Sequence, residues 1–173
     1  MTFTIREAVG EDALEIARVQ VESWRTTYKG IVAQSMLDAM SCDVRAKRWE
    51  EGLKRSEACT YVAEIEDEIV GFASAGKERQ GKYSEHKYEI YAIYLLKEHQ
   101  GKGIGQALVK AVTETLQLQG ESGLIVWALT ENPYSSFYEK LGGVQMDHQV
   151  LEIAGRKHDE AAFAWGSLME VKV

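Results

Sequence analysis

Apolar residues change their spacing several times along this chain, and each change marks a new element. Residues Met1 to Arg6 alternate as a strand does. Beyond Asp12, a residue type suited to capping, Leu14, Ala17, Val21, Trp24 and Tyr28 recur at helical spacing and predict a helix whose stripe enters the core. Lys29-Gly30 breaks the pattern. A short apolar segment around Met36 and Leu37 then precedes a helix carrying Ala46, Trp49 and Leu53 on one side. From Ala58 the texture turns β-branched and aromatic, which predicts a strand through Ile65, an acidic turn at Asp67-Glu68 and a second strand from Ile69 to near Gly76.

After a polar loop near Gln80 to Ser84, the run from Tyr88 to Leu96 is dense enough in aromatic and β-branched residues to predict a central strand buried on both faces. A glycine-rich turn opens an amphipathic helix bearing Ile104, Leu108, Ala111, Val112 and Thr115, with Gly120 suited to its C-terminal cap. Gly123 to Leu129 reads as another buried strand. Strand, turn, helix and strand therefore form a right-handed βαβ crossover with parallel strands. A short helix from Pro133 to Leu141 and two strands joined near Ala154-Gly155-Arg156 complete the order β-α-α-α-β-β-β-α-β-α-β-β. Antiparallel neighbours around one parallel pair predict an α+β (mixed α/β) fold rather than an all-parallel sheet.

Composition narrows the picture. A chain of 173 residues, 45% apolar and without linker or repeat, suits one domain over residues 1–173. A net charge of −7 without a basic block argues against a nucleic-acid partner, and weakly favours a cationic acceptor. Cys42 and Cys59 lack metal or disulfide spacing and read as reduced thiols. With no membrane-length apolar run, the expectation is a cytoplasmic protein without a membrane partner. His86, His99, His148 and His158 do not cluster, so no metal is expected.

The chemical signal is the run from His99 to Val112. Gly101, Gly103 and Gly105 permit strained turns and close approach to a ligand, and the following helix start offers unpaired N–H groups with a positive dipole end. Such a turn suits a phosphate, and Lys102 and the side chain of Gln100 stand beside it. A Walker-type loop would need Ser or Thr after Lys102, where Gly103 stands; a dinucleotide fingerprint would need glycine in place of Gln106.

These residues resemble the GNAT superfamily of N-acetyltransferases. The family's cofactor signature, Gln/Arg-x-x-Gly-x-Gly/Ala at a strand-to-helix turn, is matched by Gln100, Gly103 and Gly105, directly after a strand of the right character. A second feature, an Asn followed by a short helix with Phe-Tyr-x-x-x-Gly, is matched by Asn132, Phe137, Tyr138 and Gly142. The resemblance implies a mixed, mostly antiparallel sheet of about seven strands, its central parallel pair splayed around acetyl-CoA, with helices flanking it. It further implies that the segment Gln100, Gly101, Lys102, Gly103, Ile104, Gly105 and Gln106 cradles the pyrophosphate. The pantetheine arm would lie between Ile93, Tyr94 and Leu95 on one strand and Trp127 to Leu129 on the other, near Asn132 and Tyr138, with an N–H near Ile93 facing the thioester oxygen.

By the same resemblance Tyr138 is the candidate acid for the departing thiolate, and the acceptor is an amine of a small molecule or protein. Trp24, Tyr28, Tyr91 and Trp127 are candidate walls of its pocket, Trp24 and Tyr91 first among them. Aromatics at helical or strand spacing usually fill core volume, and that plain reading stands first for each of them. Glu89 stands four residues before Ile93 with Tyr91 between them, and strict alternation would put all three on one face. Relatives use either a glutamate on this strand or ordered water as base, and a purely structural Glu89 is a third reading. A non-catalytic acyl-CoA-binding or sensing domain is the alternative to an enzyme, and a dimer is common among relatives.

Overall fold

Two tight hairpins build the outer parts of the sheet in this structure, a computed structural model describing residues 2–173. Strands β2 (Ala58–Ile65) and β3 (Glu68–Lys77) are joined through Glu66 and Asp67, whose φ values are 51° and 65°. Strands β6 (Val144–Ile153) and β7 (Arg156–Trp165) are joined through Ala154 and Gly155, at 50° and 79°. Paired positive φ values give the turn a twist that matches the strands it connects. The remaining strands are β1 (Thr4–Glu7), β4 (Tyr88–Leu95) and β5 (Leu124–Leu129). Sheet order is β1-β2-β3-β4-β5-β7-β6, antiparallel throughout except for β4 and β5.

Helices cover both faces. On one side lie α1 (Ala13–Thr27), α2 (Gln34–Ala39) and α3 (Cys42–Leu53); on the other lie α4 (Ile104–Gln119) and α5 (Ser136–Lys140). The division can be followed through side chains. Cys59 and Tyr61 bond to Val112 and Thr115 of α4, and Phe163 stacks on Tyr138 of α5. On the opposite face Phe72 meets Trp49 of α3 edge-on at 5.0 Å, and Trp24 Nε1 of α1 donates to the Tyr94 hydroxyl at 2.9 Å. Helix α4 buries Ile104, Leu108 and Val112 of the stripe its sequence spacing predicts, together with Val109, Thr113 and Leu116, while Ala111 and Thr115 are half-buried at its edge. Each large apolar side chain so buried contributes about 1.5–3 kcal/mol.

Local expectations hold with five corrections. Of the α1 stripe, Ala17, Val21 and Tyr28 are buried and Trp24 half-buried, but Leu14 is 51% exposed, because the face turned to the sheet in the first turns of α1 carries Ala13 and Ile16 instead. The opening strand is Thr4–Glu7, and Met1 lies outside the described residues. Asp12 stands at the start of α1 but bonds no helix amide. Its carboxylate instead accepts from Val9 N–H and from both Arg6 nitrogens at 2.7 and 2.9 Å, because a guanidinium is the stronger partner. Helix α5 begins only at Ser136, since Asn132 to Ser135 form turns ahead of it. Strand β4 is fully buried only from Tyr88 to Ile90 and half-buried beyond, for a reason that defines the site. Among the described residues, no helix is long and apolar enough to cross a membrane.

Candidate active site

Strands β4 and β5 pair through Tyr88–Leu124, Glu89–Ile125 and Ile90–Val126, and there the ladder stops. Beyond it β4 pairs only with β3, as far as Leu95, and β5 only with β7, as far as Leu129. The facing edges of Ile93–Leu95 and Trp127–Leu129 are therefore left without a ladder partner. The strands part just where β4 carries a bulge: Ala75 pairs with Ile90 and Ser74 with Ala92, leaving Tyr91 extra. An extra residue increases local twist and disrupts pairing.

Past a 3₁₀ turn at Lys97–His99, β4 runs into the glycine turn. Gly101 and Gly103 hold φ of 73° and 83°, a region L side chains enter only with strain. The first bond within α4 runs from Ala107 N–H to Gly103 O at 3.1 Å, so the amides of Ile104, Gly105 and Gln106 precede it and point out of the helix start. A side chain on Gly105 would come within 3.2 Å of the Phe137 ring, which ties this turn to α5. Gln100 does not close over the turn: its Nε2 donates to Leu95 O at 3.2 Å, fastening the turn to the end of β4. Lys102 Nζ donates to Glu98 O at 2.7 Å.

A cleft of about 440 Å³ joins the turn to the open edge of β4 at Ile93–Leu95, and no residue of β5 lines it. Of the residues singled out in the sequence, Tyr28, Ile93, Tyr94, Leu95, Gln100, Gly101, Gly103, Gly105, Gln106, Asn132 and Tyr138 line it. Lys102, Ile104, Trp24, Tyr91, Trp127 and Glu89 do not; Ile104 is wholly core. Ser23, Thr27, Phe137 and Lys140 also line the cleft. Sequence reasoning passed over Ser23 and Thr27, although both are polar positions on a helix whose stripe includes Trp24 and Tyr28. An extended ligand with phosphates at one end and amides along its length fits these residues. Helix-start amides would meet its anion, and open strand edges its amides.

Tyr138 is 9% exposed, stacked on Phe163 at 5.7 Å and edge-on to Phe137 at 5.5 Å. Burial, followed by the proximity of Tyr94 and Tyr28, pushes its phenol well above the ordinary value, so it is protonated at neutral pH. Tyr28 is raised likewise, first by burial and then by Tyr94, against the opposing effect of a hydrogen bond donated by Asn132 Nδ2 at 3.2 Å. The Asn132 Oδ1 accepts from Tyr134 N–H at 2.9 Å, so this residue pins the turn before α5 to α1.

On the α1 face the bulge has a consequence for Glu89. With Tyr91 extra, Glu89 pairs opposite Gly76 while Ile93 pairs opposite Ala73, and these two β3 residues face opposite sides. The shared face expected for Glu89 and Ile93 is thus corrected: Ile93 faces α4, and Glu89 faces the side of α1 and α3. There Glu89 is 2% exposed and binds the Arg79 guanidinium at 2.7 and 3.2 Å and its amide at 3.1 Å. Arg79 in turn lies 4.5 Å over the Tyr91 ring, whose hydroxyl donates to Lys77 O. Trp127 occupies the same face of β5, and its indole N–H is buried without a partner. Among the described residues no group of His, Cys, Asp and Glu could hold a metal ion.

A parted parallel pair, a helix start open to an anion and a buried phenol in one cleft suit a protein that holds a long phosphate-bearing ligand beside a proton donor. The sequence model described as acetyltransferase (GNAT) family matches residues 19–143. An uncharacterized N-acetyltransferase of Bacillus subtilis, YuaI, is 36% identical over 170 residues, 98% of this chain and 96% of that one. Two solved structures share the fold. PaiA N-acetyltransferase from Thermoplasma acidophilum, in complex with coenzyme A, has a TM-score of 0.72 at 21% identity, covering 93% of this chain and 98% of that one. YncA from Salmonella typhimurium, with its cofactor acetyl-CoA, has a TM-score of 0.71 at 20% identity, covering 95% and 94%. The chain belongs to the acetyltransferase (GNAT) family.

Proposed function

We propose that this protein transfers an acetyl group from acetyl-CoA to a primary amine by direct attack within a ternary complex. The observation carrying this reading is that the open edge of Ile93–Leu95, left where β4 parts from β5, lines one cleft with the glycine turn and Tyr138. Bound acetyl-CoA would supply a thioester, an electrophilic carbon with a thiolate leaving group. The helix-start amides after Gln100 would hold its pyrophosphate and the open strand edges its amides. An N–H near Ile93 would stabilise the oxyanion.

Tyr138 holds the proton for the leaving thiolate. A phenol already near 10 and raised further by burial is a weaker acid than a thiol near 8.5, so full transfer ahead of bond breaking is uphill. The proton moves only as charge develops on sulfur, which requires hydrogen-bond contact. Trp24, bonded to Tyr94, and Tyr28, which lines the cleft, stand on the α1 side of the gap, the side from which the amine approaches; Trp127 lies on the same face and Tyr91 farther along it, toward the paired end of β4. One sheet drawing on strands from Thr4 to Trp165 supports a single domain over residues 1–173.

The test is a thiol-release assay with acetyl-CoA and a panel of primary amines, beside calorimetry with coenzyme A. Acceptor-dependent thiol is expected. Coenzyme A binding without thiol release from any amine would refute catalysis, and no binding at millimolar ligand would refute the reading of the cleft.

A further inference from the structure

On the α1 face of the sheet, Glu89 of β4 and Glu160 of β7 stand in different surroundings. Glu89 is neutralised: Arg79 engages both of its oxygens, and the side chain is 3% exposed. Glu160, on β7, pairs opposite Leu129, which packs with Val21, Tyr28 and Met40. It accepts one hydrogen bond, from Gln149 Nε2 to Oε2 at 2.8 Å, and among the described residues it has no ion-pair partner. Tyr28 lines the cleft and packs with Leu129, the residue opposite Glu160, so the Glu160 position on β7 lies next to the α1 wall of the cleft.

Trp127 supplies the second observation. It lies two residues before Leu129 on the same face, diagonal to Glu160 across the β5–β7 ladder. Its buried N–H lacks a partner, a state that costs stability unless a ligand atom meets it. A carboxylate without an ion-pair partner beside an unmet donor is a receptor for a molecule with a cation and an oxygen close together.

We propose that Glu160 holds the acceptor's ammonium and takes the proton it loses before attack, while Trp127 Nε1–H donates to an oxygen of the same molecule. The acceptor class is a primary ammonium compound with a carbonyl or hydroxyl oxygen near its nitrogen, such as an amino-acid amide. This rests on the acetyl-transfer reading. One ammonium proton passes to Glu160; the freed lone pair forms the C–N bond as the C–S bond breaks, and the thiolate takes the Tyr138 proton. The second nitrogen proton restores the phenol, and Glu160 releases its own to solvent. The titratable groups around Glu160 are Arg79 and Glu89, Tyr28 just past the end of α1, Tyr94 of β4 with Arg45 behind it, and His158 on the same face, paired with Glu131 at 3.1 Å.

The experiment compares wild type, Glu160→Gln and Glu160→Asp using phenylalaninamide and phenethylamine as probes. For Glu160→Gln, kcat/KM with the amide should fall about 100-fold at neutral pH, and its plateau should give way to a steady rise up to the amine's own pKa. Calorimetric binding of the amide to the coenzyme A-bound protein should weaken about tenfold, with coenzyme A affinity unchanged. Glu160→Asp should lie between the two. Trp127→Phe should erase the wild-type preference for the amide over phenethylamine. Unchanged kcat/KM and pH profile in Glu160→Gln would overturn the assignment, as would loss of coenzyme A binding in both Glu160 variants, which would make the residue a structural support. If wild type releases no thiol with any amine, the acetyl-transfer reading itself fails; turnover in wild type that persists in Glu160→Gln sinks only the role of Glu160.

Discussion

Gly103→Ala isolates the backbone conformation of the glycine turn from every other variable. Gly103 sits at φ 83° and ψ −5°, and a Cβ built there meets no atom within 4 Å, so the substitution introduces no steric contact. What remains is the left-handed conformation, which costs an L-residue about 1–2 kcal/mol. That energy has two outlets. Where the turn keeps its shape, the cost appears as lost stability, about 2–4 °C of melting temperature per kcal/mol for a chain of this size. Where the turn relaxes, the amides of Ile104 to Gln106 swing away from the anion, and coenzyme A affinity falls by up to about 30-fold. Gly81→Ala is the control: φ is 65°, the space is equally open, and the residue lies in the loop between β3 and β4, outside the cleft lining. It should lose similar stability and no coenzyme A affinity. Calorimetric titration and thermal unfolding of both variants decide the matter. Full coenzyme A affinity in a Gly103→Ala protein that melts with Gly81→Ala would refute the assignment of the anion to this turn's conformation.

Tyr138→Phe should lower kcat about ten- to a thousandfold in steady-state assays, with coenzyme A affinity by calorimetry unaltered. Arg79→Met strands the buried Glu89 carboxylate and should destabilise the fold by about 3–5 kcal/mol in urea unfolding; adding Glu89→Met should recover most of the loss. The Arg6 hydrogen bonds hold the Asp12 carboxyl below its ordinary range, so its contribution is complete above about pH 4 and is lost as pH falls through the lowered value. Urea midpoints of wild type and Asp12→Asn should therefore differ at neutral pH and converge in acid. Gly71→Ala would drive a methyl to 2.5 Å from Leu95 Cδ1 and push that side chain toward the cleft, raising KM for acetyl-CoA more than it changes kcat.

Much of this architecture is legible in residue spacing because local and global preferences agree. Buried α4 shows its stripe from Ile104 to Leu116, and two hairpins announce themselves by polar or glycine-containing turns between β-branched runs. The order of helices and strands follows from those alternations, and the parallel pair follows from the crossover rule. Side-chain partners were less accessible. Asp12 carries the chemistry of a cap, yet it binds Arg6, a residue six positions earlier that alternation alone presents as one more strand position. Likewise Gln100 has the chemistry to meet an anion, but the nearer Leu95 carbonyl occupies it.

Glu89 shows why a site can escape a correct secondary-structure reading. Alternation assigns faces by counting, and one extra residue reverses the count for everything on its far side. Nothing in Tyr88 to Leu95 announces a bulge, since a bulged tyrosine and a paired one have the same β-favouring composition. The reversal moves Glu89 from the Ile93 side to the α1 side, where Arg79, thirteen positions before Ala92 and set in a polar loop, can reach it. Glu160 escapes for a different reason. Its strand reads as a closing hairpin partner, and only the sheet order, which inserts β7 directly beside β5, brings it to the gap. A carboxylate far along the chain thus becomes a neighbour of the parted strands, while the one nearest them in sequence is already neutralised. The acceptor's chemistry follows from that exchange of places, because an ammonium binds where negative charge is left over rather than where a glutamate is closest in the chain.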